Sequence, residues 1–221
     1  FCSSLSRALA FAVLIPCCSA FVIAPLSLVM SSPLIALATE QVAELTDRGI
    51  AAAKLIFTPD KKLLMSLGGA YMYAGVGEYA QDSSIHLGKL LRLNDDGTPA
   101  EDNPFIDSGE FLPEVFTVGH RNIIGLDYHP ETGELWATEN GPQGGDEANI
   151  IEAGGNYGWP LVSYSRQYRG DWVSRSQWSD DYEQPQVIWW PSIAPSGITL
   201  DETTLSTTPW SVAACAWGAW T

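Results

Sequence analysis

The chain has 221 residues, with 11 Lys and Arg against 26 Asp and Glu, which gives a formal net charge of −15. So acidic a chain repels phosphate backbones, which argues against nucleic acid as a partner. The 9 Trp, 8 Tyr and 20 Gly, with only 17% charged residues, argue against disorder or a helical bundle. This composition favours a turn-rich β protein.

The first 38 residues form a hydrophobic leader whose only charge is Arg7. The leader ends in Ala36-Leu37-Ala38, a small-x-small pattern typical of a secretory signal that is cleaved after Ala38. This predicts a periplasmic or secreted protein. A membrane anchor over residues 8–38 is the alternative, although three prolines disfavour one straight helix. An error in the reading frame is the third explanation, because the chain begins with Phe1.

Two segments share one pattern, in which an apolar strand, a turn with Pro and an acidic residue, and a second apolar strand follow one another. They run over residues 54–66 and 125–138, with Pro59 and Pro130 in the turns. Each segment predicts a β-hairpin, and repeated hairpins are what the blades of a β-propeller supply. Two unrelated hairpins with common turn chemistry are the alternative.

One short strand, residues 89–94, is predicted between the two hairpins, and loops rich in Gly and Pro flank it. It ends in Asn94-Asp95-Asp96-Gly97. This turn lacks the spaced oxygen ligands and the final Glu of an EF-hand, so a plain hairpin turn is favoured over a calcium loop.

Arg121 is the only Lys or Arg between Asn94 and Glu152, a stretch that contains 14 acidic residues. A guanidinium there needs a carboxylate partner, either from the protein or from a ligand. An ordinary surface ion pair is the simpler alternative.

The loop at residues 138–147 is too rich in Gly and Pro for regular structure. Gly141 and Pro142 can turn their carbonyl oxygens to one side, while Asp146 and Glu147 add carboxylates. Calcium prefers such oxygen ligands, so the loop is a candidate cation site. A loop without ligands is the alternative.

Residues 119–164, which read GHRNIIGLDYHPETGELWATENGPQGGDEANIIEAGGNYGWPLVSY, closely resemble the soluble PQQ-dependent glucose and aldose sugar dehydrogenases. These form the glucose/sorbosone dehydrogenase family. Residues 80–82, 86–94 and 102–105 resemble further segments of that family in the same order. The resemblance covers roughly residues 49–198.

The resemblance implies an all-β chain, a partial six-bladed β-propeller of about three blades, with pyrroloquinoline quinone (PQQ) and calcium as cofactors. It implies that Arg121 and Asn122 contact the quinone and that Arg121 also stabilises charge during catalysis. Asn140 stands where relatives have Gln or His and is a further candidate contact. Gly141 and Pro142 would offer backbone oxygens to the calcium of the cofactor.

The resemblance also implies a second, structural calcium bound by Glu147 and the carbonyl of Tyr157. Trp159 is expected in the core rather than as a ligand.

The chain departs from the family pattern at the catalytic base, because Ile50 stands where the family has His, and Ile cannot accept a proton. His86 and His120 are expected to hydrogen-bond loop backbones, and His129 to lie beside a hairpin turn. None of the three matches the position of the base.

We therefore expect a leader at residues 1–38, a partial propeller domain at 39–198 and a tail at 199–221 that does not align with the family. A truncated or frameshifted gene accounts for both ends, and a propeller that lacks blades is expected to be poorly stable or to aggregate.

The predicted function is oxidation of the C1 hydroxyl of aldose sugars to lactones, by an incomplete or degenerate copy of the enzyme. A non-catalytic calcium- or carbohydrate-binding module is the alternative, and a membrane-anchored structural segment is a third. The partners are a sugar substrate and an electron acceptor that the sequence does not identify, and a homodimer is one expected assembly.

Overall fold

A computed structural model of the chain describes residues 53–68, 77–200 and 210–214. The predictions for the leader at residues 1–38 and for Ile50 lie outside this part. Within it, the only helical element is a single 3-10 turn, Gly77–Ala80, and every other regular element is a β-strand. No helix in the described ranges is long and apolar enough to cross a bilayer. The all-β prediction is confirmed.

Two four-stranded antiparallel sheets follow one another along the chain, each with its strands in sequence order. The first sheet contains β1 (Leu55–Phe57), β2 (Leu63–Leu67), β3 (Lys89–Leu93) and β4 (Val115–Thr117). The second contains β5 (Ile123–Tyr128), β6 (Leu135–Glu139), β7 (Asp146–Ile150) and β8 (Val187–Trp189). A third, two-stranded sheet pairs β9 (Pro195–Leu200) with β10 (Trp210–Ala214).

Both predicted hairpins are present, and each one opens a four-stranded sheet. In the first turn, the Lys62 amide donates to Thr58 Oγ1 at 2.8 Å. In the second turn, His129 Nδ1 accepts the amides of Glu131 and Thr132 at 3.2 and 3.1 Å, so His129 lies beside the turn as expected. These short-range bonds depend on local sequence, which explains why the hairpins were predictable.

The predicted turn after β3 is also confirmed. The Gly97 amide donates to the Asn94 carbonyl at 3.0 Å, and Gly97 has a φ of 85°. Glycine adopts this left-handed conformation without steric cost, which explains why the turn forms at this position.

One buried cluster packs on the first sheet and includes Leu91 and Val115, and the rest of the described core lies between successive sheets. Between the sheets, one buried cluster joins Leu64 and Leu90 of the first sheet to Ile123, Leu126 and other residues of the second. A second cluster joins the second sheet to β9 and comprises Trp136, Ala148, Ile198 and Leu200. The second sheet is thus packed on both of its faces.

The close approach of β9 requires a glycine in β5. A Cβ atom on Gly125 would lie 2.2 Å from Thr138 Oγ1 and 2.8 Å from the Ile198 amide nitrogen. β10 lies within the segment predicted as an unaligned tail and pairs with β9 in antiparallel register.

Candidate functional site

Arg121 lies in the connection between β4 and β5, two residues after Gly119, whose φ is 77°. A Cβ atom on Gly119 would lie 2.2 Å from Asn156 Oδ1, so the sharp turn and the close packing both require glycine. The turn directs Arg121 into the interior, where its side chain is only 6% exposed.

The guanidinium of Arg121 has no carboxylate partner among the described ion pairs. Its Nη1 donates to the carbonyl oxygen of Asn140, and its central carbon lies 5.6 Å from the Trp159 ring and 5.9 Å from the Tyr168 ring. Nε is buried and has no hydrogen-bond partner in the described part of the chain. Burial lowers the pKa of Arg121, against the opposing effects of Tyr168 and Glu139. Within the described part of the chain, Arg121 therefore does not form the surface ion pair of the simpler alternative.

A small cavity, partly open to solvent, lies beside this guanidinium. The residues that line this cavity include five of the predicted site residues, namely Arg121, Asn140, Gly141, Glu147 and Tyr157. Asn122 and Pro142 lie next to lining residues in the chain but do not line the cavity themselves. The structure thus brings most of the predicted quinone and calcium residues to one place.

Asn122 and Asn140 are joined through their backbones, since the Asn140 amide donates to the Asn122 carbonyl at 3.2 Å. The side-chain Oδ1 of Asn140 is buried and lacks a hydrogen-bond partner in the described residues. A buried acceptor of this kind is normally satisfied, so it indicates a ligand or water at this wall of the cavity.

Asp146, a carboxylate of the candidate cation loop, stabilises that loop through hydrogen bonds from protein donors. Its Oδ1 accepts the Gly141 amide at 2.8 Å. Its Oδ2 accepts the hydroxyl of Ser192 and the amides of Ile193 and Ala194 at 2.6, 2.7 and 2.8 Å. These four bonds occupy both oxygens and connect the loop to the segment before β9.

Backbone carbonyls converge around Gly141. A Cβ atom at this position would lie 2.2 Å from the Gly144 oxygen and 2.7 Å from the Gly145 oxygen. No group of three His, Cys, Asp or Glu in the described residues could hold a metal ion. A cation here would therefore depend on carbonyl oxygens, as calcium sites often do.

Two carboxylates, Glu139 and Glu147, also line the cavity. Burial raises the pKa of Glu147 to about 8, and the charges of Glu139 and Asp146 add to this effect. Burial acts in the same direction on Glu139, but His120 and the amides of Arg121 and Asn122 bring its pKa below the usual value.

Tyr157 lies at the base of the cavity, where its hydroxyl donates to the Ile150 carbonyl at 2.7 Å. Its ring stacks on His120 with centroids 4.5 Å apart. Trp159 is buried, as predicted for a core residue, but it also lines the cavity and contacts Arg121.

None of the three histidines lines the cavity. The expectation that His120 bonds a loop backbone is wrong, because its ring contacts the side chains of Thr117 at 2.8 Å and Glu139 at 3.2 Å. His86 contacts the buried carboxylate of Glu114.

Glu139 is the main site residue that the sequence did not indicate. It ends β6, whose residues are buried throughout. A charged residue in an otherwise apolar strand directly before the candidate loop was the available signal.

The amino-acid sequence matches the glucose/sorbosone dehydrogenase family over residues 36–213. Protein slr1608 from Synechocystis is 46% identical over 155 residues, which make up 67% of this chain and 38% of that protein. The chain thus spans about two fifths of the length of this relative.

Solved structures agree with the sequence match. The soluble aldose sugar dehydrogenase of Escherichia coli, in its apo form, superposes with a TM-score of 0.65 at 34% identity, over 73% of this chain and 47% of that one. The PQQ-bound aldose sugar dehydrogenase of Streptomyces coelicolor superposes with a TM-score of 0.53 at 32% identity, over 68% of this chain and 40% of that one. The resemblance read from residues 119–164 is confirmed, and the chain belongs to the glucose/sorbosone dehydrogenase family.

Proposed function

We propose that the chain is part of a PQQ- and calcium-dependent dehydrogenase that oxidises the C1 hydroxyl of an aldose to the lactone. The observation that carries this proposal is the guanidinium of Arg121, which is buried beside the cavity without a carboxylate partner in the described structure. A buried charge of this kind is costly unless it is paired, and PQQ carries three carboxylates that could pair with it.

The residues present fit an anionic cofactor with a bound cation. One unpartnered donor, Arg121 Nε, and one unpartnered acceptor, Asn140 Oδ1, belong to residues that line the same cavity. The carbonyl oxygens of Gly144 and Gly145 approach Gly141 and belong to the same loop as the proposed calcium ligands Gly141 and Pro142. Donor, acceptor and carbonyl oxygens together are what an anionic quinone with calcium requires.

Each residue has a defined task in this proposal. Arg121 binds a carboxylate of the quinone, and its fixed positive charge stabilises the negative charge that develops during the reaction. Asn122 and Asn140 orient the quinone, while the carbonyls of Gly141 and Pro142 hold its calcium. When bound, PQQ would supply the acceptor for the hydride of the sugar, and calcium would supply a Lewis acid.

We also assign Glu147 and the Tyr157 carbonyl to a second, structural calcium. Glu139 and Glu147 line one cavity, and a divalent cation would offset the repulsion between their charges.

The finer fold assignment rests on the same family. The two four-stranded sheets correspond to two blades, and β9 with β10 begins a third, which makes the chain a partial six-bladed propeller of about three blades.

Titration of the purified chain with PQQ tests the proposal, with the quenching of tryptophan fluorescence as the readout, since Trp159 contacts Arg121. We expect saturable binding in calcium and much weaker binding in excess EDTA. An absence of binding in calcium would overturn the proposal.

Loop geometry provides a second test. Gly141→Ala must displace the carbonyls of Gly144 or Gly145, so we expect calcium-dependent PQQ affinity to fall by roughly tenfold. Gly197→Ala is the matched control, because no atom lies within 4 Å of its added Cβ. Equal PQQ affinities for both variants would show that the loop does not hold the cation.

The non-catalytic module is the second candidate, and Ile50 at the position of the family base favours it. It predicts PQQ binding without glucose oxidation in a dye-reduction assay. Ile50→His is expected to restore turnover, because it supplies a proton acceptor, while Ile50→Val serves as the control. Turnover by the unaltered chain would exclude this candidate.

The proposal also covers the export of the protein, its substrate and its assembly. Export to the periplasm or the medium follows from the pattern at residues 36–38, and N-terminal sequencing of the exported protein would separate a cleaved signal from an anchor. The substrate is an aldose, the electron acceptor is open, and a homodimer is the proposed assembly.

A further inference from the structure

Glu139 is a buried carboxylate that accepts four hydrogen bonds and leaves neither oxygen unused. Its Oε2 accepts the backbone amides of Arg121 at 2.9 Å and Asn122 at 3.4 Å. Its Oε1 accepts His120 Nδ1 at 3.2 Å and Asn149 Nδ2 at 3.1 Å. The residue is buried, at 5% exposed, so these donors replace most of its contact with solvent.

These bonds connect two segments that are not paired there as strands. Residues 119–122 form the sharp connection into β5, and the buried amide of Arg121 has Glu139 as its acceptor. Buried amides are almost always satisfied, which makes Glu139 the acceptor that this connection depends on.

Asn140, the residue that follows Glu139, holds the side chain of Arg121. The Asn140 carbonyl accepts Arg121 Nη1, so Glu139 binds the backbone of Arg121 and Asn140 binds its side chain. With both ends held, the guanidinium has one fixed position beside the cavity. Preorganised donors need no rearrangement when an anion binds, which increases affinity.

The carboxylate of Glu139 accepts hydrogen bonds from backbone amides and does not pair with the Arg121 guanidinium. Glu139 forms no ion pair with Arg121 among the described residues, although its charge favours the protonated guanidinium. Direct pairing would neutralise the group that a ligand carboxylate needs. In the observed geometry, the negative charge of Glu139 acts on the guanidinium from a distance. Arg121 Nε still has no hydrogen-bond partner in the described residues.

We infer that Glu139 is a positioning residue, which fixes Arg121 and Asn122 in the conformation that binds the carboxylate of an anionic cofactor. This inference rests on the proposed function for the identity of that cofactor. The conformational part, in which Glu139 holds the connection at residues 119–122, stands without it.

Amide hydrogen exchange tests the conformational part in the absence of any ligand. In Glu139→Gln, one side-chain oxygen is replaced by an NH₂ donor, so we expect the amides of Arg121 and Asn122 to exchange roughly tenfold faster than in the unaltered chain. Unchanged exchange at both amides would overturn the inference.

PQQ binding in calcium tests the functional part through a double-mutant cycle. We expect Glu139→Gln to raise the Kd roughly tenfold when Arg121 is present, and less than about twofold in an Arg121→Met background. Equal losses in both backgrounds would show that Glu139 acts on the fold as a whole and not through Arg121.

Glu114→Gln is the matched control. Glu114 is also buried and contacts His86 much as Glu139 contacts His120, but it does not line the cavity. We expect its PQQ affinity to stay within about twofold of the unaltered chain. A tenfold loss in this control would show that any buried carboxylate has the same effect, which contradicts the inference.

Failure of the proposed function can be distinguished from failure of the inference about Glu139. If the unaltered chain does not bind PQQ, the proposed function fails and amide exchange alone decides whether Glu139 positions the connection. If Glu139→Gln does not fold, Glu139→Asp keeps the charge but is shorter by one methylene, and the same exchange measurement at Arg121 and Asn122 decides.

Discussion

Arg121→Met is expected to raise the Kd for PQQ by roughly 100-fold or more, because removal of one partner of a buried, hydrogen-bonded charge pair typically costs about 2–5 kcal/mol. Met retains the length of the apolar stem but has no charge and no donor. The measurement is a fluorescence titration in calcium. Arg166→Met is the control, since Arg166 is exposed and stacks on Trp172 at 5.1 Å.

Although Arg121→Met is expected to weaken PQQ binding, it is not expected to lower the free energy of unfolding. In the free chain the guanidinium is buried without a carboxylate partner among the described residues, so its removal should not lower stability and is expected to add about 1 kcal/mol to the free energy of unfolding. Loss of PQQ affinity together with unchanged or higher stability identifies a residue kept for binding. A marked loss of stability in Arg121→Met would instead assign Arg121 to the core and contradict the proposed role.

Leu64→Ala is expected to lower the free energy of unfolding by about 3 kcal/mol. Leu64 is 0% exposed and packs in the cluster that joins the first sheet to the second. The substitution leaves a cavity between two sheets that share no strand, so it weakens their packing directly. Urea unfolding measures the change, with an unaltered m-value as the sign that the unfolded state is the same.

Leu161→Ala is the control for this prediction, because Leu161 is 50% exposed and its loss should change stability by less than about 0.5 kcal/mol. Equal effects of Leu64→Ala and Leu161→Ala would mean that the two sheets do not pack in solution as they do in the structure.

The hairpins and turns were predictable because their causes are local. Pro59 and Pro130 mark the turns of the two hairpins, and Gly97 allows the left-handed conformation after β3. Arg121 was predictable as a site residue for a similar reason, since a single base within an acidic stretch is visible in the sequence.

The hydrogen-bond partners of Asp146 could not be predicted from the sequence. A carboxylate in a loop rich in glycine suggested a cation ligand, yet its oxygens accept donors from Ser192, Ile193 and Ala194, far along the chain. The partners of a polar group depend on which distant segments the fold brings to it, and no local pattern contains that information.

By itself, the sequence determined the β class, the hairpins and the set of residues from which the candidate site is built, because turn chemistry, strand patterning and the motif at residues 119–164 are local properties. Only the tertiary structure decided that Arg121 is buried with no carboxylate partner among the described residues, that Asp146 accepts hydrogen bonds from the loop, and that Glu139 accepts the amides of residues 121 and 122. The physical reason is that burial and hydrogen-bond satisfaction are set by contacts between segments distant in the chain.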